Sequence, residues 1–311
     1  MDLLVVMDPF EACDPSGDTS IGLLGAAVER GHRARCCTAA DLALTGGQVV
    51  VRARPVDATE DGVSAGPRVG EPAPLELADA VLVRTDPPVD ADYLAMTLLL
   101  EFARGSTLCV NDPRGLREAN EKLYACRFPE LMPPTVVAAD PDVLRTFADD
   151  CGGAVVKPLD GHGGRGVVLL RAGDPDGHRL AAAATAGGRR QVMAQQFLPE
   201  VVDGDRRILL LDGELLGVLN RRPAPGEFRA NIGLGASVEV VTPDAADRRV
   251  IEALAPSLRA DGLWFVGIDV IGGRLSEVNV TSPTGLRQLT RLSGGRPDLA
   301  VVDWLAERSG A

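Results

Sequence analysis

The run Ala154-Val155-Val156-Lys157-Pro158-Leu159-Asp160-Gly161-His162-Gly163-Gly164-Arg165-Gly166-Val167-Val168-Leu169 consists of two short apolar stretches closed around a glycine loop, with a lysine just upstream. Gly161, Gly163 and Gly166 satisfy the spacing GxGxxG. The dinucleotide fingerprint needs a helix after its last glycine, however, and Val167-Val168-Leu169-Leu170 reads as a strand. The Walker pattern fails as well, because no GK[ST] follows. What remains is a glycine-rich β-hairpin. Its glycines would let the backbone approach phosphate oxygens and aim N–H groups at them, while Lys157 adds a point charge. The plainer alternative is a tight hairpin whose glycines serve turn geometry only. The same letters match the glycine loop of protein kinases, but no HRD or DFG follows, which excludes a kinase.

Around this hairpin the pattern predicts a small α+β module. Strands are expected at 135–138, 154–157, 167–171 and 191–195, with helices near 141–150 and 176–186. Upstream, Leu3-Leu4-Val5-Val6-Met7 is a continuous apolar run, as a strand buried on both faces would be. A helix follows over 19–30, stopped by Gly31, and further strands are expected at 79–84 and 107–110. The stretch 53–74, rich in Pro and Gly, reads as a mobile surface loop. This rhythm predicts an open α/β sheet. Downstream, strands are expected at 207–211, 214–219, 263–271 and 275–280, a Gly/Pro-rich loop at 223–236 and a helix near 244–261.

The second chemical cluster is Gly267-Ile268-Asp269-Val270-Ile271-Gly272-Gly273-Arg274-Leu275-Ser276-Glu277-Val278-Asn279-Val280-Thr281, read as another hairpin. Glu277 and Asn279 are two apart and share a face. A two-residue turn at Gly272-Gly273 would oppose Asp269 to Ser276 and turn Glu277 away. A three-residue turn would set Ile271 opposite Leu275 and Asp269 opposite Glu277. The three-residue turn is the expectation, because hard oxygens converging from adjacent strands make a Mg²⁺ site with room for waters and phosphates. The alternative is a set of solvated polar residues on an edge hairpin.

The whole chain, 311 residues, is long enough for about two or three domains. A net charge of −12 argues against a general nucleic-acid or anionic-membrane surface, and 4% aromatics leaves few platforms for stacking bases. Any anionic ligand then needs a local basic cluster. Arg206, Arg207, Arg221, Arg222 and Arg229 fit that need, although each taken singly could be a surface ion pair. The six cysteines form no CxxC pair and the three histidines are well separated, so a zinc framework is not expected. The longest apolar run, 94–100, is too short to cross a bilayer. No signal-peptide pattern opens the chain, and a cytoplasmic location with free thiols is expected.

Taken in order, these motifs resemble the ATP-grasp superfamily, and within it the bacterial glutathione synthetases. The likeness is carried by Val6-Met7-Asp8-Pro9, Arg84-Thr85-Asp86-Pro87-Pro88-Val89-Asp90, Asn120-Glu121-Lys122-Leu123, Lys157 through Gly164, Gly204-Asp205-Arg206-Arg207, and Phe265 through Thr284. It implies an ATP-grasp fold of mixed α/β and α+β class. Its parts would be an N-terminal open parallel α/β domain (1–119), a central lid module (120–200) and a C-terminal α+β catalytic domain (201–311). It also implies a reaction in which ATP phosphorylates the cysteinyl carboxylate of γ-glutamylcysteine and glycine displaces the phosphate. The products are glutathione, ADP and phosphate. Metal ions and Arg/Lys groups would lower the repulsion between the two anions.

By position, the resemblance assigns Lys122, Lys157, Gly161, Gly163 and Gly164 to ATP phosphates, Gln195 to Leu198 to an adenine hinge, and Asp205 to the ribose. Asp269, Glu277 and Asn279 would carry two Mg²⁺ ions, with Mn²⁺ able to substitute. Arg207, Arg221 and Arg229, with Asn231 nearby, would face phosphate or the tetrahedral intermediate. Arg84, Ser282 and Thr284 would bind the peptide substrate. A cytoplasmic homo-oligomer, a tetramer in the family, is implied, with no nucleic-acid or membrane partner. Three positions depart from the family pattern: Val89 where Phe is usual, Ala230 where Gly or Ser is usual, and Ala236 where Gly is common. They bear on lid closure and substrate choice, so a sister ligase joining another acyl dipeptide or amine is the second reading. A non-catalytic nucleotide-binding regulator would be expected to lack a metal ligand or a lid arginine, and all of these residue types are present.

Overall fold

The structure is a computed structural model that describes every residue except Val69; that one position of the expected loop 53–74 lies outside the described residues. Three main sheets organise the chain. The first has six strands, in the order Gly62–Ala65, Arg54–Thr59, Arg33–Cys37, Asp2–Met7, Ala80–Arg84, Leu108–Val110. The four from Arg33–Cys37 to Leu108–Val110 run parallel. Leu3 to Met7 are all buried, as the unbroken apolar run requires of a central parallel strand. The helix Thr19–Glu29 begins where the Asp18 carboxylate accepts the N–H groups of Ser20 and Ile21.

The stretch 53–74 is not a loop throughout. Arg54–Thr59 and Gly62–Ala65 form an antiparallel hairpin that extends the parallel sheet, so the sheet is mixed. Ala73–Pro74 joins a small sheet with Leu42–Thr45 and Gln48–Val51. The turn that closes the hairpin is Glu60-Asp61, and Gly62, which opens the returning strand opposite Thr59, sits at φ +136, a backbone conformation that needs glycine.

The second sheet is antiparallel, in the order Thr135–Ala138, Val192–Gln196, Gly153–Pro158, Val168–Arg171. Helices Pro141–Asp150 and Gly177–Ala184 cover it. All six elements lie within two residues of their expected bounds. The first helix starts at Asp140, whose side chain caps Asp142 N–H, with Pro141 at the first helical position.

The third sheet, also antiparallel, runs Ser237–Val241, Glu214–Arg222, Asp205–Leu211, Phe265–Ile271, Arg274–Asn279. Helix Ala245–Ala260 packs on it, opened by a reciprocal cap between Asp244 and Asp247. Three elements here had no counterpart in the sequence reading: the edge strand Ser237–Val241 and the helices Leu286–Ser293 and Pro297–Ser309. The last helix packs against Thr19–Glu29, so the C-terminal residues complete the core around the first sheet. Asn111 also ties the first sheet to the third: its amide donates to the carbonyls of Phe265 and Val280 and accepts the Phe265 N–H. No helix among the described residues is long and apolar enough to cross a membrane.

Candidate active site

A cavity of about 300 Å³ opens between the second and third sheets, roofed by the segment 228–233. Its lining includes five acids, Asp86, Glu121, Asp205, Asp269 and Glu277, and six Lys or Arg bases, Lys122, Lys157, Arg165, Arg207, Arg221 and Arg229. The hairpin of the third sheet brings its acids together by a route the sequence reading did not foresee. Ile271 opposes Arg274, so the turn is the two-residue Gly272-Gly273 type and not the three-residue turn. An irregularity between Asp269 and Val270 then places Leu275 opposite Val270 and Glu277 opposite Asp269. One extra residue in the returning strand, a β-bulge, thus produces the expected pairing of the two carboxylates. Gly267 opposes Asn279, and Asn279 Nδ2 donates to Asp269 Oδ2 at 3.3 Å.

Asp205, Asp269 and Glu277 each already face a cation. Arg207 grips Asp269 with a two-pronged bond, Nε to Oδ1 at 2.6 Å and Nη2 to Oδ2 at 3.0 Å. Arg221 Nη2 lies 2.7 Å from Asp205 Oδ2 and 3.0 Å from Asp269 Oδ1. Burial alone would raise the Asp269 carboxyl, but the Arg207 and Arg221 guanidiniums outweigh it and hold Asp269 well below the usual carboxylate range. Asp205 has one guanidinium, and burial leaves its carboxyl raised. Lys122 Nζ donates at 2.7 Å both to Glu277 and to the Gly161 carbonyl. Burial works against the Lys122 ammonium, but the carboxylates of Glu277 and Glu121 prevail and raise its pKa. Lys157 Nζ donates to Gln195 Oε1 at 2.6 Å and to Ser276 Oγ at 2.8 Å, neither of them charged, and burial lowers its pKa.

The glycine loop lies in the hairpin between Gly153–Pro158 and Val168–Arg171, as its letters predict. Gly161, Gly163 and Gly164 line the cavity, and so do Gln195 and Leu198. Gln195 Nε2 and Asp205 Oδ1 are buried polar atoms without a partner among the described residues, both on this cavity wall, as a site built to receive a polar ligand would leave them. Arg229 and Asn231 belong to the roof. Arg229 Nη1 donates to the Gly164 carbonyl at 3.2 Å. Ser282 and Thr284 also line the cavity, and Arg207 Nη1 donates to the Thr284 carbonyl at 3.1 Å.

Arg84 lies elsewhere: it is 2% exposed, outside the cavity lining, with Nε donating to Ser20 Oγ and the guanidinium over the Phe265 ring. Arg206 and Arg222 also face away. Arg206 pairs with Asp244 and Asp247 at the cap of helix Ala245–Ala260, and Arg222 pairs with Glu239.

Three contributors were not singled out from the sequence. Glu121 Oε1 accepts the N–H groups of Val280 and Thr281 and the Thr281 hydroxyl, fixing the strand end beside Glu277. Ser276 holds Lys157, and Glu227 holds Arg229. Glu121 adjoins Lys122 and Ser276 adjoins Glu277, but neighbourhood in sequence does not tell which side chain turns inward.

Asp269, Glu277 and Asn279 offer two carboxylates and an amide on adjacent strands. Among the described residues no cluster of three His, Cys, Asp or Glu could hold a metal ion by itself. This donor set fits a hard cation such as Mg²⁺ that takes its remaining oxygens from water and phosphate.

The profile of the prokaryotic glutathione synthetase N-terminal domain matches residues 1–117, and that of the prokaryotic glutathione synthetase ATP-grasp domain matches 121–294. The chain is 42% identical over 319 residues to the glutathione synthetase of Synechocystis sp., covering 99% of this chain and all of that protein. It is 46% identical over 292 residues to that of Parasynechococcus marenigrum, covering 93% and 94%. Among solved structures, D-cycloserine synthetase DcsG shares the fold, with a TM-score of 0.68 at 17% identity over 99% of each chain. The ATP-grasp ligase PsnB does so with a TM-score of 0.61 at 19% identity over 99% of each. With two family profiles covering nearly its whole length, and relatives above 40% identity over that same length, the chain belongs to the prokaryotic glutathione synthetase family of ATP-grasp ligases.

Proposed function

We propose that this protein joins γ-glutamylcysteine to glycine at the expense of ATP, releasing glutathione, ADP and phosphate. The observation that carries the reading is the position of Lys122. Its ammonium bonds the glycine loop through Gly161 and the carboxylate hairpin through Glu277, so phosphate-binding and metal-binding elements meet at one cation. In this reading the γ-phosphoryl group passes to the cysteinyl carboxylate, giving an acyl phosphate and ADP. The glycine amine then attacks that carbonyl, loses a proton, and phosphate departs.

Lys122, Lys157 and the Gly161–Gly164 backbone would hold the ATP phosphates, with Gln195 to Leu198 along the base and Asp205 near the ribose. Arg207, Arg221, Arg229 and Asn231 would face the transferring phosphoryl group and the tetrahedral intermediate. Asp269, Glu277 and Asn279 would hold Mg²⁺. Bound there with ATP, the metal neutralises phosphate charge and so favours phosphoryl transfer to a carboxylate. Ser282 and Thr284 would meet the substrate carboxylates. Arg84, buried with its Nε on Ser20 Oγ and not among the residues that line the cavity, would bind the peptide substrate. Closure of 223–236 would exclude water from the acyl phosphate. We divide the chain into 1–119, 120–200 and 201–311, place it in the cytoplasm, and expect a tetramer. The six free cysteines suit a reducing compartment.

The test is ADP release from Mg-ATP with γ-glutamylcysteine, with and without glycine, and the mass of the product. Release that depends on both substrates, with a glutathione mass, is expected. Release with another dipeptide or amine instead would move the protein to a sister ligase. Arg229→Ala is expected to lower kcat with little change in ATP affinity, and a pure loss of ATP affinity would remove Arg229 from the transition state.

A further inference from the structure

The roof of the cavity holds its arginine in an unusual way. Glu227 grips the Arg229 guanidinium with both oxygens, Oε1 accepting from Nε at 3.0 Å and Oε2 from Nη2 at 2.7 Å. Glu227 Oε1 also accepts the backbone N–H groups of Phe228 at 2.9 Å and Arg229 at 3.0 Å. One carboxylate therefore fixes both the backbone turn and the side-chain direction of Arg229. The guanidinium edge left over, Nη1, donates to the Gly164 carbonyl of the glycine loop. A second touch lies alongside: a methyl group at Gly164 would come within 2.6 Å of Asn231 Oδ1. Hydrogen bonding to Arg229 brings the Glu227 carboxyl down to about 2, so it stays ionised across the neutral range.

We propose that Glu227 is a positioning residue of the lid, a carboxylate clamp that presents the Arg229 guanidinium to the glycine loop already oriented. This rests on the reading of Arg229 as a group that faces the transferring phosphoryl. A free arginine on a loop samples many rotamers. A planar fork held on a carboxylate keeps one direction and loses less freedom when it meets the transition state. Glu227 itself touches no reacting atom. Its effect should fall on the rate of the chemical step more than on nucleotide binding.

The experiment compares Glu227→Ala, Glu227→Gln, Glu227→Asp and Arg229→Ala in the full-length enzyme. It reads kcat, the KM for ATP, and the Kd of a non-hydrolysable ATP analogue. Glu227→Ala is expected to lower kcat by about 10- to 100-fold, as misplacement of a catalytic group does, with Kd within about threefold. Glu227→Gln keeps an acceptor for the two backbone N–H groups but loses the charge, and should fall between Ala and wild type. Glu227→Asp keeps the charge on a shorter arm and should recover part of the rate. Three results would overturn the proposal: wild-type or higher kcat in Glu227→Ala, a loss confined to Kd, or equal losses in Ala and Asp. Arg229→Ala separates the two ideas. If it leaves kcat intact, the reading of Arg229 fails. If it lowers kcat while Glu227→Ala does not, only the clamp fails.

Discussion

Asp269 and Glu277 face each other across two strands, and each is held by cations before any ligand arrives. Such a cluster balances its own charge in a buried place, and removing one member leaves its partner uncompensated. Glu277→Gln tests this gently. The amide oxygen can still accept from Lys122, so the fold should hold, while a metal ligand charge is lost. Turnover should drop by a few orders of magnitude at saturating Mg²⁺. Unchanged turnover would remove Glu277 from the site.

Glu121 makes a prediction about pH. Burial first, and the Glu277 charge second, raise its carboxyl above the ordinary value of 4.5. A carboxyl raised on folding opposes stability while it is ionised, and that penalty fades as pH falls through its folded value. Val280 N–H, Thr281 N–H and the Thr281 hydroxyl all donate to Oε1, an atom that glutamine retains. Glu121→Gln should therefore melt at the same temperature as wild type or higher at pH 8, with the gap closing toward pH 4.5. Melting curves across that range decide it; a gap that widens on acidification would contradict the burial argument.

At the scale of elements, the glycine hairpin and the roof work as a pair. Gly164 has φ +75, which disfavours any side chain, and an added methyl would also strike Asn231 Oδ1. Gly164→Ala should cost about 1–2 kcal/mol locally and push the roof outward. The expected result is a raised KM for ATP and reduced kcat with a nearly unchanged melting temperature; kinetics equal to wild type would show that the two loops need not touch. The same pair marks the limit of pattern reading. Strands and helices of the second sheet were legible because short apolar runs, Pro141 after Asp140 and the glycines punctuate them clearly. The hairpin within 53–74 was not, because its Pro and Gly content hides pairing that depends on a neighbouring strand, Arg33–Cys37. Likewise the alignment of Asp269 with Glu277 was anticipated, but through the wrong turn. A bulge leaves no sharp mark in the letters, and its location is set by how the two strands pack.

Across the whole molecule, the C-terminal helix returns to the first sheet. Leu305 is fully buried in the core it shares with Leu23 and Leu24. Leu305→Ala should cost about 2–5 kcal/mol, the range for deleting a buried leucine, and should lower the midpoint of urea unfolding without changing the KM for ATP at permissive temperature. A loss near zero would mean the helix is not part of that core.

The order of residues was enough for most elements around the site, the inventory of phosphate-type and metal-type side chains, and a family likeness carried by several motifs in order. It was not enough to say which of two adjacent arginines does what. Arg206 and Arg207 are neighbours on one strand, as are Arg221 and Arg222, so each pair points to opposite faces. Arg207 and Arg221 line the cavity, while Arg206 and Arg222 hold Asp244, Asp247 and Glu239 on the outside. Alternation along a strand is local and can be read from the letters. Which face is the inner one depends on what packs against the sheet, and that is settled only when residues far apart in the chain come together.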